Sequence, residues 1–313
     1  MTQTERRLYE RIRRRAADLE PDAARRLLAA YDAIRNNLTP SELARAIDRG
    51  YVDQLINELL SDRSLDPAFA PFRTLIDRAV LDTASAAASL LPSPIKSQAF
   101  NILNPKIVEE AQRLDTRVIQ GIKEELRATV KQHVIAGIEQ GVNPVVTART
   151  LRDVIGLAPN QEAAIRNFRK LLESGDAEAL TRKLRDRRYD KVLMRGGPLS
   201  TEQIDNMTAA YRRRMEAFNA STHARSAALD AQRAGHRASW EEAIAQGSVD
   251  RDTIYKTWVT VKDDRVRPEH RAMDGQMVPF DSRYSNGDMI PGQHDYNCRC
   301  IERITIKRAA VAA

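Results

Sequence analysis

"IVEEAQRLDTRVIQGIKEELRATVKQHVIAGI", residues 107 to 138, sets apolar side chains at Ile107, Ala111, Leu114, Val118, Ile122, Leu126, Val130, Val134 and Ile138. Steps of three and four keep these positions on one face of a helix for about eight turns. One long amphipathic helix therefore dominates the middle of the chain. Gly141 offers it a C-terminal stop. Asn143-Pro144 offers an N-cap and then a proline in the first turn of the next helix.

The same pattern extends outward from residue 3 to about 246. "GLAPNQEAAIRNFRKLLESG" starts a helix after Pro159 and ends it at Gly175, and "DAEALTRKLRDRRYDKVL" follows. After the break at Arg195-Gly196-Gly197-Pro198, Ser200 and Gln203 fit a capping box. Ile204, Met207, Tyr211, Met215 and Phe218 then form a buried face. The N-terminal stretch reads as separate helices joined at Glu20-Pro21, Thr39-Pro40, Asp66-Pro67 and Pro92-Ser93-Pro94.

Near residue 247 the character changes. "IYKTWVTV" is β-branched and aromatic and reads as a strand. A long segment rich in Gly, Pro, Asp and Asn follows, with turns at Asp274-Gly275, Asn286-Gly287 and Pro291-Gly292. "QMVPF" inside it is a short strand candidate, and "CRCIERITIK" closes the region as another strand. The expected fold is α+β, mainly α-helical with long helices, followed by a small C-terminal β-containing domain. Three regions result: 1–103 helical, 104–246 a helical core, and 247–313 the β-containing module.

Hydrophobic residues make up 42% of the 313 and aromatics only 5%, which points to thin cores of helix packed on helix. The net charge of +7 permits nucleic-acid contact without demanding it. "MTQTERRLYERIRRR" is charged from the start, so no secretion signal is read there, and no run reaches the ~18 apolar residues of a membrane span. Synthesis in a cytosol is expected. Basic runs at Arg185, Arg187 and Arg188, and at Arg212, Arg213 and Arg214, read either as solvated helix surface or as a contact for phosphate.

Cysteine occurs only at Cys298 and Cys300. Two thiols cannot build a disulfide framework, and positions i and i+2 of an extended chain rarely reach disulfide geometry. In a strand both point to one side and can present two sulfurs to one ion. His270 and His294 sit in the same loop-rich segment and are the natural further ligands for a structural zinc, which would replace a core the segment lacks. The spacing fits no standard zinc pattern. Two alternatives stand beside it: the cysteines are small buried hydrophobes, and the histidines hydrogen-bond turn carbonyls.

Asp263, Asp264, His270 and Asp274 are the residue types of a metal-dependent nuclease, and a Cys–His hydrolase can be drawn with Cys298 or Cys300. Neither has a further signature such as H-E-x-x-H, G-x-S-x-G or a P-loop. The aspartates are more simply turn formers after a strand. No enzymatic activity and no catalytic residue is expected.

Taken together, "KTWVTVKDDRVRPEHRAMDGQMVPFD" and "PGQHDYNCRC" resemble the C-terminal domain of the phage Mu F-like family, the minor head or head morphogenesis proteins of tailed bacteriophages. The matching motif residues are Trp258 and Thr260, then Asp264, Arg265, Arg267 and His270. Asp274-Gly275, Pro291-Gly292 and Asn297 to Cys300 complete the order. "IAGIEQGVNPVVTARTLRDVIGLAPNQEAAIRNFRKLL" and "FNASTHARSAALDAQRAG" resemble the family's helical region. Two departures stand out: His294-Asp295-Tyr296 where the family often has His-Pro, and Ser221-Thr222-His223 where it often has R-T-E. The first puts His294 one residue further from the cysteines.

The resemblance implies a structural virion component in few copies, in the head interior or at the portal vertex. It implies the portal protein, capsid or scaffolding proteins as partners, with phage DNA as a further one. A DNA-binding virion protein, acting on the packaged genome or during ejection, is the alternative. A metal-dependent nuclease or hydrolase using Asp264, His270 and Cys298 is the second alternative.

Overall fold

The computed structural model describes residues 3–88, 91 and 105–307. It is mainly helical, with ten α-helices among the described residues and one three-stranded sheet at the C-terminal end. Four helices are long: α1 (Gln3–Asn37), α4 (Asp62–Ala88), α5 (Pro105–Glu139) and α9 (Thr201–Ala245). The short ones are α2 (Pro40–Asp48), α3 (Val52–Leu59), α6 (Pro144–Leu151), α7 (Pro159–Glu173), α8 (Asp190–Arg195) and α10 (Pro268–Ala272).

The predicted stripe of α5 is buried from Ile107 to Val134, except that Val118 is half-buried; Ile138 is exposed. Asn143 caps α6 by accepting the Val145 amide at 2.8 Å. Ser200 and Gln203 form the reciprocal capping box that starts α9. Two predicted breaks are absent. Pro21 lies inside α1, and Pro67 and Pro71 lie inside α4. Each ring is exposed, and so are Ala17, Arg63 and Pro67, whose carbonyls lose their helical donors to the three rings. At such exposed residues solvent can satisfy a freed carbonyl, which lets these helices continue through proline. The Pro92-Ser93-Pro94 break lies outside the described residues. Phe218 is exposed rather than buried, because it falls between the buried ridges of α9. The stretch 177–189 forms short 3-10 turns, each opened by an aspartate, instead of a helix.

The chain divides into two compact units made of separate segments. The first is Met1–Ala23, Pro71–Val118 and Thr222–Ala313; the second is Ala24–Ala70 and Ile119–Ser221. This division cuts across the consecutive 1–103, 104–246 and 247–313 regions, because α1, α4, α5 and α9 each supply residues to both units.

In the second unit, α7 and the first half of α9 enclose an apolar core of Ile165, Phe168, Leu172, Ile204, Met207 and Tyr211. Phe168 and Tyr211 stack with centroids 4.3 Å apart. Gly156 turns the chain at φ +85°, where an added Cβ would meet the Tyr31 ring at 2.6 Å.

In the first unit, α9 is buried on every side from Ala227 to Trp240. A run of alanines there lets neighbours come close. Ala16 of α1 packs on Ala228, and Ala84 of α4 with Ile107 of α5 packs on Ala238. At Gly235 a Cβ would stand 2.6 Å from the Val80 carbonyl oxygen, so the two backbones nearly touch. The sheet, β1 (Ile254–Val259), β2 (Met277–Pro279) and β3 (Ile301–Ile306), is antiparallel in the order β2-β1-β3. Ile254, Phe280 and Ile304 pack with Trp240 and Ala243. Trp258 pairs with Glu302 and Lys256 with Ile304, so all four share the sheet face.

Candidate metal centre

Two segments converge beside this sheet. Pro268, in the first turn of α10, opens the short helix that carries His270. Cys298 and Cys300 lie on the segment entering β3. All three side chains are buried, and their candidate ligand atoms lie within 4.8 Å of one another; no other such cluster of His, Cys, Asp and Glu occurs among the described residues. His270 Nδ1 stands 3.6 Å from Cys298 Sγ and 3.8 Å from Cys300 Sγ.

The other ring nitrogen is occupied. His270 Nε2 lies 2.8 Å from Asp295 Oδ2. A carboxylate there holds the proton on Nε2 and leaves the Nδ1 lone pair facing the two sulfurs. Arg267, one turn before His270, donates to the Tyr296 carbonyl at 2.8 Å. Residues 295–296 are thus fastened to α10 at two points. The Trp258 ring covers the site edge-on to His270, with centroids 5.2 Å apart.

Arg233 of α9 fixes the backbone of the cysteine segment. Its guanidinium donates to the carbonyls of Cys300 (2.9 Å) and Cys298 (2.5 Å), and to Asp230 (2.6 Å). Gly292 has φ +84°, and a Cβ there would stand 2.7 Å from Arg233 Nη1 and 3.0 Å from Cys298 Cβ, which accounts for the Pro-Gly turn. Asn297, at φ 58°, donates its backbone N–H to Ser226 Oγ on α9. A hydrogen bond from Cys300, with Arg233 nearby, holds the Cys298 thiol down, to about 6; the same bond and burial push Cys300 up.

The other motif residues shape the loops. Asp274 accepts from the Thr260 amide (2.8 Å) and hydroxyl (3.0 Å), and Gly275, at φ +85°, returns the chain to β1 by donating to the Trp258 carbonyl. Asp263 holds Arg299 through two bonds of 2.6 Å. Asp264 and Arg265 are exposed. No aspartate joins the thiol–imidazole cluster. His294 does not join it either: it is 66% exposed and its Nδ1 meets Asp288.

The predicted nucleic-acid arginines are not assembled into one free surface. Arg185 pairs bidentately with Asp190, and Arg188 and Arg214 share Asp186. Arg212 meets Asp153. Arg187 and Arg213 are exposed. Two residues central to the site escaped the sequence reading. Asp295 stood in view as the departure from His-Pro, and nothing in the alanine-rich helix sets Arg233 apart from Arg225 and Arg237.

The three donors are of the kinds that zinc takes, one short of the four that close a structural zinc site. With Zn–N of about 2.0 Å and Zn–S of about 2.3 Å, the N···S edge of a tetrahedral site is about 3.5 Å, close to both observed distances. Two sulfurs nearly equidistant from one lone pair suit an ion better than a single Cys–His couple, in which the second thiol has no task.

Long helices followed by a small antiparallel sheet, with a buried thiol–imidazole cluster under a tryptophan, make this a mainly α protein of the α+β class. The family model described as Phage Mu protein F like protein matches residues 128–302, more than half of the chain, and the chain belongs to that family. It is a phage head morphogenesis protein, and its place is the virion. No curated protein and no solved structure matches it.

Proposed function

We propose that this protein is a minor head protein that sits at the portal vertex, contacts the portal and neighbouring capsid or scaffolding proteins, and acts in head assembly and genome packaging. The observation that carries this reading is the family match, which runs from the last third of α5 through the whole thiol–imidazole cluster. Purified virions should contain the protein, and portal complexes released from them should retain it. Absence from virions, or capsid retention with a portal free of it, overturns the reading.

Within that role the C-terminal module is a clamp. His270, Cys298 and Cys300 would hold a structural zinc ion, with Asp295 orienting the imidazole and Arg233 positioning both cysteine carbonyls. Bound zinc would tie α10 to the entry of β3. Burial of all three ligands shuts substrate out and favours a structural ion over a hydrolytic one. Freshly purified protein should contain stoichiometric zinc, and a Cys298→Ser, Cys300→Ser variant should contain none. Metal-free wild type that melts at the same temperature with and without added zinc would remove the ion from the account.

A further inference from the structure

Residues 6–17, "RRLYERIRRRAA", hold six arginines and a single glutamate. Arg7, Arg11, Arg14 and Arg15 stand at i, i+4, i+7 and i+8 on α1, so they share one face over about 12 Å of helix. Among the described residues no carboxylate forms an ion pair with any of these four, in contrast to the arginines of 185–214.

The elements packed against this face supply no counter-charge. Arg11 and Arg15 share their surroundings with Thr83 and Ala87 of α4 and with Gln232 and His236 of α9. His236 is neutral at physiological pH, because burial, and then Arg11, pull it down to about 4. The Arg11 guanidinium is itself disfavoured by burial and by Arg15 beside it. Two juxtaposed cations with neutral neighbours leave a positive potential for an external anion to satisfy.

We propose that the Arg7, Arg11, Arg14 and Arg15 face of α1 binds the phosphate backbone of double-stranded DNA. Among the described side chains, the exposed positions from Arg6 to Asp18 include no aromatic or large aliphatic residue. Four of those described positions are arginine, Arg6, Arg7, Arg13 and Arg14, against the two acids Glu10 and Asp18, so the exposed stretch is net basic. Duplex DNA offers a charge about every 1.7 Å and needs only guanidiniums in a row. The inference holds for a head protein whether or not the portal is its partner.

The test is fluorescence anisotropy of full-length protein with a labelled 30-bp duplex of arbitrary sequence, between 50 and 200 mM salt, at the order-of-magnitude salt dependence of about 0.9 per phosphate contact. Four contacts predict an affinity loss of about 100-fold over that range, and the quadruple Arg→Gln variant should lose up to about 3.6 of the log–log slope. Arg7→Gln with Arg14→Gln, both exposed, should lose about half of that without altering the fold. The Arg187→Gln, Arg213→Gln variant should bind as wild type. An unchanged slope in the quadruple or the double variant overturns the proposal. So does failure of wild type to bind duplex at 50 mM salt, or binding of polyglutamate as tight as duplex, which would make the partner an acidic protein.

Discussion

The core around Phe168 and the face around Trp258 reach burial by opposite means. The first is apolar throughout: Ile165, Phe168, Leu172, Ile204 and Met207 need only fill space. The second buries charge. Lys256, Arg233, His270 and Glu302 are each at most 2% exposed. Lys256 Nζ donates to the Met289 carbonyl, and burial draws the ammonium down to about 8. Glu302 is pushed up by burial, with Arg237 3.9 Å away. An apolar core tolerates other hydrophobic side chains of similar volume. A buried ionic one depends on each partner, because removing one strands the other away from water.

Four experiments sharpen this contrast. The largest effect is expected at Arg233→Met, which leaves two buried cysteine carbonyls without their donor and Asp230 with Arg117 alone; denaturant unfolding should show a loss of about 3–5 kcal/mol. Arg233→Lys should recover little of it, since an ammonium cannot reproduce the guanidinium fork.

Acid should act next, through His236. Its folded value lies near 4, below the unfolded value, so the unfolded chain binds more protons between the two. The contribution is full above about pH 6.5 and is lost as pH falls toward 4, by roughly 3 kcal/mol. Stability measured across this window should fall less in His236→Asn than in wild type. Equal slopes would show that the histidine is not buried neutral.

In the apolar core, Phe168→Leu should cost less than about 1.5 kcal/mol by thermal melting, although Phe168→Ala would cost about 3–5. A Phe168→Leu loss as large as that of Arg233→Met would erase the difference between the two regions. The smallest effect belongs to Ser200→Ala, which removes one side of the α9 capping box for about 1 kcal/mol.

Local pattern carried much of the fold because periodicity and caps act over a few residues. The Ile107–Val134 stripe, the Asn143 and Ser200 caps and the strands at 254 and 301 are all of this kind. The prolines misled for a physical reason. A missing N–H breaks a helix where the freed carbonyl is buried, and at Pro21, Pro67 and Pro71 it faces water. The candidate site was half legible. His270, Cys298 and Cys300 share a segment rich in turns, and their residue types announce metal chemistry. His294 has the same chemistry but points at Asp288, and no spacing rule separates the two histidines.

The sequence by itself determined the helical majority, the switch to a β module near residue 247, the family and the two thiols as the chemical focus. Each rests on residue type and near-neighbour spacing. Only the tertiary structure decided which histidine meets the sulfurs, that Arg233 grips their carbonyls, and that Arg185, Arg188, Arg212 and Arg214 meet carboxylates while, among the described residues, Arg7, Arg11, Arg14 and Arg15 do not. These depend on contacts between segments far apart in the chain, and a charge declares its partner only when the fold brings one within reach.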